Sequence, residues 1–187
     1  MEKRRVVITG MGALTPLGKS AEESWAAAKA GVCGIDTITL YDSSSQKVHL
    51  AGEVKGYNAE DYMERREARR MDRFTQFAVI AAGQALEQSG LDLEAEDLSN
   101  MGVILSSGIG GITTIQAETL KGGAKGFDKV SPFFIPMVIA NMAAAQVAIK
   151  FGLKGMCSCP VTACAGGSNS IGDAFRHIRD GYSDVML

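Results

Sequence analysis

Residues 154–187, "KGMCSCPVTACAGGSNSIGDAFRHIRDGYSDVML", decide the fold. "KGMCSCPV" (154–161) reads as a strand. Ala165 to Arg179 reads as a helix, because Ile171, Ala174, Phe175 and Ile178 recur at i, i+3, i+4 and i+7 and predict one buried face. "SDVML" (183–187) reads as a second strand. Strand, helix and strand in succession argue an α/β protein with a largely parallel sheet.

Working outward, the rest of the chain keeps that alternation. "RRVVIT" (4–9) predicts a buried strand that enters a glycine turn at Gly10 and Gly12. Ser20 is placed to cap a helix over "ESWAAAKAG", which Gly31 stops. Residues 32–58 read as loop and short strands, with "YDSSSQ" as a polar turn. A helix is expected from about Ala59 to Ser89, broken near Arg69–Met71. Phe74, Phe77, Ala78, Ala81, Ala82 and Ala85 form its apolar spacing, and Gly90 ends it. "MGVILSS" (101–107) is an apolar strand running into "GIGGI". Helices are expected over 113–122 and from about Met137 to Phe151, with "GGAKGFDK" flexible by composition.

The chemistry of this pattern centres on Cys164, where strand becomes helix. A helix N-terminus lowers thiol pKa through unpaired N–H groups and the helix dipole. The small residues Ala163, Ala165, Gly166 and Gly167 leave room for a tight turn and an approaching substrate. The Cys164 N–H would point into that space as an oxyanion donor. This resembles a nucleophile elbow, although the "GxSxG" form is absent. A small buried cysteine is the competing reading. A third is a metal ligand, from the C-x-C-x4-C spacing of Cys157, Cys159 and Cys164. Zinc sites want four ligands, and neither His49 nor His177 has ligand spacing.

Other signals are weaker. Gly10, Gly12 and Gly18 do not make a dinucleotide fingerprint, because Thr15 stands where the third glycine belongs and Pro16 follows it. "SSGIGGI" lacks the G-K-[ST] ending of a phosphate loop. In "MERREARRMDR", a continuous helix would gather Arg66, Arg69, Arg70 and Arg73 into an arc of about 100°. That stripe is either a solvated face paired to glutamates or a dock for an acidic partner.

Composition sets the frame. At 187 residues the chain is one domain's length, and a net charge of −2 gives no global drive toward nucleic acid or an anionic membrane. Three of four cysteines fall within eight residues, which suits a reducing, cytoplasmic setting better than a disulfide scaffold. No run of 18 apolar residues predicts a membrane span.

"VVITGMGALTPLG", "RRMDRFTQFAV", "SSGIGG", "SPFFIPMVIANM", "VTACAGG" and "GYSDVML" occur in this order. Together they resemble the β-ketoacyl-acyl carrier protein synthases, most closely the type II elongating enzymes. "AGGSN" after the cysteine replaces the serine-rich segment of modular polyketide synthases. The resemblance implies a thiolase-like fold, with residues 1–187 as its N-terminal half and the C-terminal half absent. It implies a cytoplasmic homodimer that uses no cofactor or metal and condenses malonyl-acyl carrier protein with an acyl group held on Cys164. Ile109 and Phe134 match acyl-pocket positions. Arg66, Arg69, Arg70 and Lys129 match, or sit beside, the patch that docks acyl carrier protein. It also implies two catalytic histidines and a lysine in the second half; neither His49 nor His177 matches them. The chain alone is therefore expected not to condense. The alternative is a non-catalytic remnant or a carrier-binding module.

Overall fold

The computed structural model describes residues 3–187; Met1 and Glu2, which open the expected 1–187 domain, lie outside the described residues. Its centre is a parallel three-stranded sheet. The strands are β3 (Met101–Ile104), β4 (Cys157–Ser158) and β5 (Val185–Met186), in the order β4-β3-β5. A separate antiparallel pair joins β1 (Asp36–Thr37) to β2 (Leu50–Ala51). The helices are α1 (Ala21–Lys29), α2 (Arg65–Ala68), α3 (Arg73–Ser89), α4 (Ile112–Lys125), α5 (Phe134–Val138), α6 (Met142–Phe151) and α7 (Gly166–Arg179).

The strand order fixes which helix covers which face. β3 leads through α6 to β4 on one side, and β4 leads through α7 back across to β5 on the other. Right-handed crossovers in opposite directions put α6 and α7 on opposite faces. Every residue of β3 is buried, as a strand covered on both faces must be. Met101 and Val103 point toward α6 and α3, into a core with Val79, Ala82, Ala144 and Val147. The alternate residues Gly102 and Ile104 face the other side.

Several sequence expectations hold with adjusted bounds. The Ser20 hydroxyl accepts from the Glu23 N–H at 3.1 Å and caps α1. Gly90 closes α3 in the left-handed region. The helix expected over 59–89 starts as a 3-10 turn at Ala59–Asp61, leaves 62–64 outside any helix, and breaks again at 69–72, between α2 and α3. The helix expected from Met137 is two, α5 and α6, and α4 runs on to Lys125. "GGAK" is therefore helical, and Gly122 is buried where a β-carbon would lie 2.6 Å from the Phe127 ring.

Four expectations fail. Residues 4–9 form no strand, and Val7 and Ile8 are 57% and 79% exposed. A strand needs a ladder partner, and among the described residues the segment is tied only at its start. There the Arg4 N–H donates to the Arg179 carbonyl, and the guanidinium pairs with Asp184. Gly10 and Gly12 make no turn. They let the segment lie on α3, where a β-carbon on Gly12 would overlap the Ala81 carbonyl and one on Gly10 that of Ala85. Gln84 and Gln88 of α3 accept from the Ala13 and Met11 N–H groups.

The buried stripe of α3 is rotated from the expected one: Thr75, Val79, Ala82 and Leu86 face the core. The alanines at 81 and 85 receive the N-terminal segment instead. The apolar face of α7 is open, with Ile171 69% and Phe175 44% exposed; Gly166 and Ser170 are what α7 buries against the sheet. Periodicity shows that a helix has an apolar face, not that this chain supplies its cover.

Candidate active site

Cys164 lies in a single 3-10 turn, Ala163–Ala165, between the end of β4's extended run and α7. The turn is backbone-strained. Ala163 has φ 49°, the one non-glycine residue in the left-handed region among the described residues. A β-carbon there costs roughly 1–2 kcal/mol. That conformation reverses the chain within one residue and lifts Cys164 to the surface, where it is exposed.

The hydrogen bonds around the turn leave a donor free. The Ala165 N–H goes to the Thr162 carbonyl and the Gly166 N–H to the Ala163 carbonyl. No acceptor takes the Cys164 N–H among the described residues. Thiol and free N–H thus belong to one residue at the N-terminal end of a 14-residue helix, where the dipole favours negative charge. A nucleophile needs such an arrangement to attack a carbonyl and stabilise the resulting oxyanion. A core cysteine would be buried, and this one is not.

The neighbouring cysteines differ. Cys157 is exposed by surface area, yet desolvation by its neighbours pushes its thiol above the ordinary value, with the Cys159 thiol adding to the rise. Among the described residues, no group of three or more His, Cys, Asp or Glu side chains converges as a metal site would require. His177 is eleven residues along α7 from Gly166, the first residue of that helix. At 1.5 Å per residue that stretch alone is roughly 16 Å, too far to act on the Cys164 thiol. Its ring packs beside Tyr182 at 5.5 Å between centroids.

The expected pocket residues lie in the segment after β3, Ile109 in its loop and Phe134 at the start of α5. Ile109 is 63% exposed in that loop, and Phe134 opens α5 half-buried. Loop and helix are joined, since the Gly111 N–H donates to the Val138 carbonyl at 2.9 Å. Ser106, at the start of the same loop, packs on Gly166, only two residues beyond Cys164.

The basic residues are split. Arg66, Arg69 and Arg70 are exposed and make no ion pair among the described residues. Glu67, which could have neutralised them, pairs with Lys150 of α6 at 2.7 Å. Arg66, Arg70, Glu67 and Lys150 line an open cleft of about 730 Å³ between α2 and α6; Cys164 is not part of its wall. The Arg70 guanidinium lies 5.2 Å over the Phe133 ring, beside Phe134. Arg73 leaves the stripe, because the break before α3 turns it onto Tyr57 and Phe77 at 5.3 and 5.1 Å. Lys129 sits on a separate turn and pairs with Asp128 at 2.8 Å. Sequence reasoning missed the strain at Ala163, which has no sequence signal. It also missed Asp72, whose position just before a helix does signal a cap.

A family model described as "Beta-ketoacyl synthase, N-terminal domain" matches residues 3–187. The chain belongs to that family. It is 48% identical over 186 residues to 3-oxoacyl-[acyl-carrier-protein] synthase 2 of Staphylococcus aureus (strain COL), covering 100% of this chain and 45% of that protein. The synthase 2 of Synechocystis sp. is 44% identical over 187 residues, again with 45% of its length covered. The chain thus spans about half the length of these relatives. Among solved structures, the ishigamide ketosynthase/chain length factor superposes with a TM-score of 0.90 at 26% identity, over 98% of this chain and 46% of that one. A β-ketoacyl synthase from Burkholderia phymatum STM815 gives 0.80 at 30% identity, over 98% and 45%. The ketosynthase of AntDE:AntF, solved with its acyl-carrier protein and bound to the hexaketide, gives 0.82 at 23% identity, over 99% and 49%, and shows the fold alone. The β-ketoacyl synthase chain therefore has the α/β, thiolase-like fold expected of it.

Proposed function

We propose that this chain is the N-terminal half of a β-ketoacyl-acyl carrier protein synthase of fatty acid elongation, and that Cys164 is its acyl acceptor. The carrying observation is the exposed thiol in a strained turn, with its own N–H free at the start of α7. The Cys164 sulfur attacks the thioester carbonyl of an acyl carrier protein. The carrier thiol leaves and takes the proton. Malonyl-acyl carrier protein then loses CO2, and its carbanion attacks the Cys164 thioester to release a 3-oxoacyl carrier protein. The Cys164 N–H supports the oxyanion in both attacks.

The half-protein reading is supported by the open apolar face of α7 and by the exposed Val7 and Ile8, which a second half would cover. It also agrees with the 45% of each relative's length that the chain spans. Arg66, Arg69 and Arg70, which pair with no carboxylate among the described residues, supply the cationic face for an acidic carrier protein, and Lys129 adds a charge from its separate turn. Ile109 and Phe134 line the acyl pocket. The enzyme works as a cytoplasmic homodimer. Among the described residues no helix is long and apolar enough to cross a membrane.

Mass spectrometry after incubation with an acyl carrier thioester tests this reading. The full-length protein should gain one acyl group, on the Cys164 peptide, and should condense it with malonyl-acyl carrier protein. Residues 1–187 alone should not condense. Acylation elsewhere, or condensation by the isolated 187-residue chain, contradicts it.

A further inference from the structure

We propose that Asp72 is a positioning residue: its single carboxylate caps two helices and so holds the Ser106–Gly111 loop against the helix that carries Cys164. The proposal rests on the reading of Cys164 as acyl acceptor. Asp72 is only 6% exposed. One carboxylate oxygen faces the Phe74 N–H at 3.5 Å and caps α3. The other accepts from both the N–H (2.9 Å) and the hydroxyl (2.6 Å) of Thr114, in the first turn of α4. A carboxylate suits both places, because the first N–H groups of a helix lack partners and its dipole favours an anion.

The backbone before α4 is seated on this residue. A β-carbon on Gly111 would lie 3.0 Å from the Asp72 β-carbon. The Gly110 N–H donates to the Ser107 hydroxyl at 2.9 Å, with Gly110 at φ +84°. At its other end the loop presses Ser106 against Gly166. A run of contacts therefore leads from Asp72 through the loop to a point two residues from the nucleophile. Ile109 projects from the middle of that run, 63% exposed. With Ile109 as the acyl-pocket residue proposed above, Asp72 sets the position of that wall and with it the room for a long acyl chain at Cys164. The same short linker carries Arg69 and Arg70.

The test uses the full-length protein with Thr114→Val, which removes one of the two hydrogen bonds, Thr114→Ser, which restores it, and Asp72→Asn. Three quantities are read: amide exchange over residues 108–114, alkylation of Cys164 by iodoacetamide, and transfer to Cys164 from decanoyl and acetyl N-acetylcysteamine thioesters. Thr114→Val and Asp72→Asn should speed exchange by about fivefold or more and leave iodoacetamide alkylation within about twofold. They should lower the decanoyl-to-acetyl ratio by about fivefold, and Thr114→Ser should restore it. A ratio unchanged in Thr114→Val, or not restored by Thr114→Ser, overturns the proposal; this pair decides even where Asp72→Asn does not fold. A wild-type protein that takes neither acyl group on Cys164 overturns the reading of the cysteine, and this proposal with it.

Discussion

Ser106 and Gly166 occupy one space: a β-carbon on Gly166 would overlap the Ser106 hydroxyl and lie 2.8 Å from the Ser106 β-carbon. The first turn of the cysteine helix can approach the loop after β3 only because residue 166 has no side chain. Gly166→Ala should therefore destabilise the protein by about 1–3 kcal/mol, the range for an overpacked site. Ser106→Gly in the same chain should recover most of the loss. Urea unfolding of both single variants and the double variant gives the coupling, expected to exceed about 1 kcal/mol.

The strain at Ala163 predicts the opposite sign of effect on stability. Glycine removes a left-handed penalty of roughly 1–2 kcal/mol and gives back about 0.5–1 kcal/mol in unfolded-chain entropy. Ala163→Gly should thus raise stability by up to about 1.5 kcal/mol, at about 2–4 °C in Tm per kcal/mol for a chain of this size. Acyl transfer to Cys164 should slow, because the turn that aims its N–H is loosened. Calorimetry and single-turnover acylation on the same sample check both halves.

Thiol labelling separates the cysteines. Desolvation by its neighbours and the Cys159 thiol raise the Cys157 pKa, so Cys157 carries less thiolate near neutral pH. Iodoacetamide between pH 7 and 9 should modify Cys164 before Cys33, Cys157 and Cys159, as read by peptide mass spectrometry. Cys164→Ser should remove the fast phase. Equal slow labelling at all four sites would fit an inert cysteine instead.

Charge reversal tests the basic face. Arg66→Glu, Arg69→Glu and Arg70→Glu should each weaken acyl carrier protein binding by about threefold to tenfold at low salt. The difference should shrink toward high salt, where exposed charges are screened. Arg70 has a second partner in the Phe133 ring, so Arg70→Lys should also lose part of its effect. Surface plasmon resonance across a salt series measures both trends.

Glu53 provides an acid-side signature. Its buried carboxylate accepts the Thr39 hydroxyl at 2.7 Å and the N–H groups of Thr39 and Leu40, and the Thr39 hydroxyl foremost holds its pKa below the ordinary value. A lowered folded pKa means that this stabilisation is full above the unfolded value of about 4.3 and disappears as pH falls through the folded one. Glu53→Gln should therefore unfold earlier in urea at pH 7, and the gap from wild type should close as the pH falls below about 4.

The sequence by itself determined the strand–turn–helix order around Cys164, the Ser20 cap and the Gly90 stop. Each rests on forces within a few residues of chain: capping, dihedral preference and periodicity. The ordered motifs also carried the family. The tertiary structure decided what depends on distant partners. Residues 4–9 have strand composition but no ladder among the described residues, and the apolar face of α7 is open. The arginine stripe loses Arg73 because a backbone break turns that side chain onto two aromatic rings. The strain at Ala163 and the two-helix cap at Asp72 were equally invisible, since a φ angle and a shared carboxylate are settled by packing. Local interactions are written in neighbouring letters; pairing, cover and strain arise only when remote segments compete for the same space.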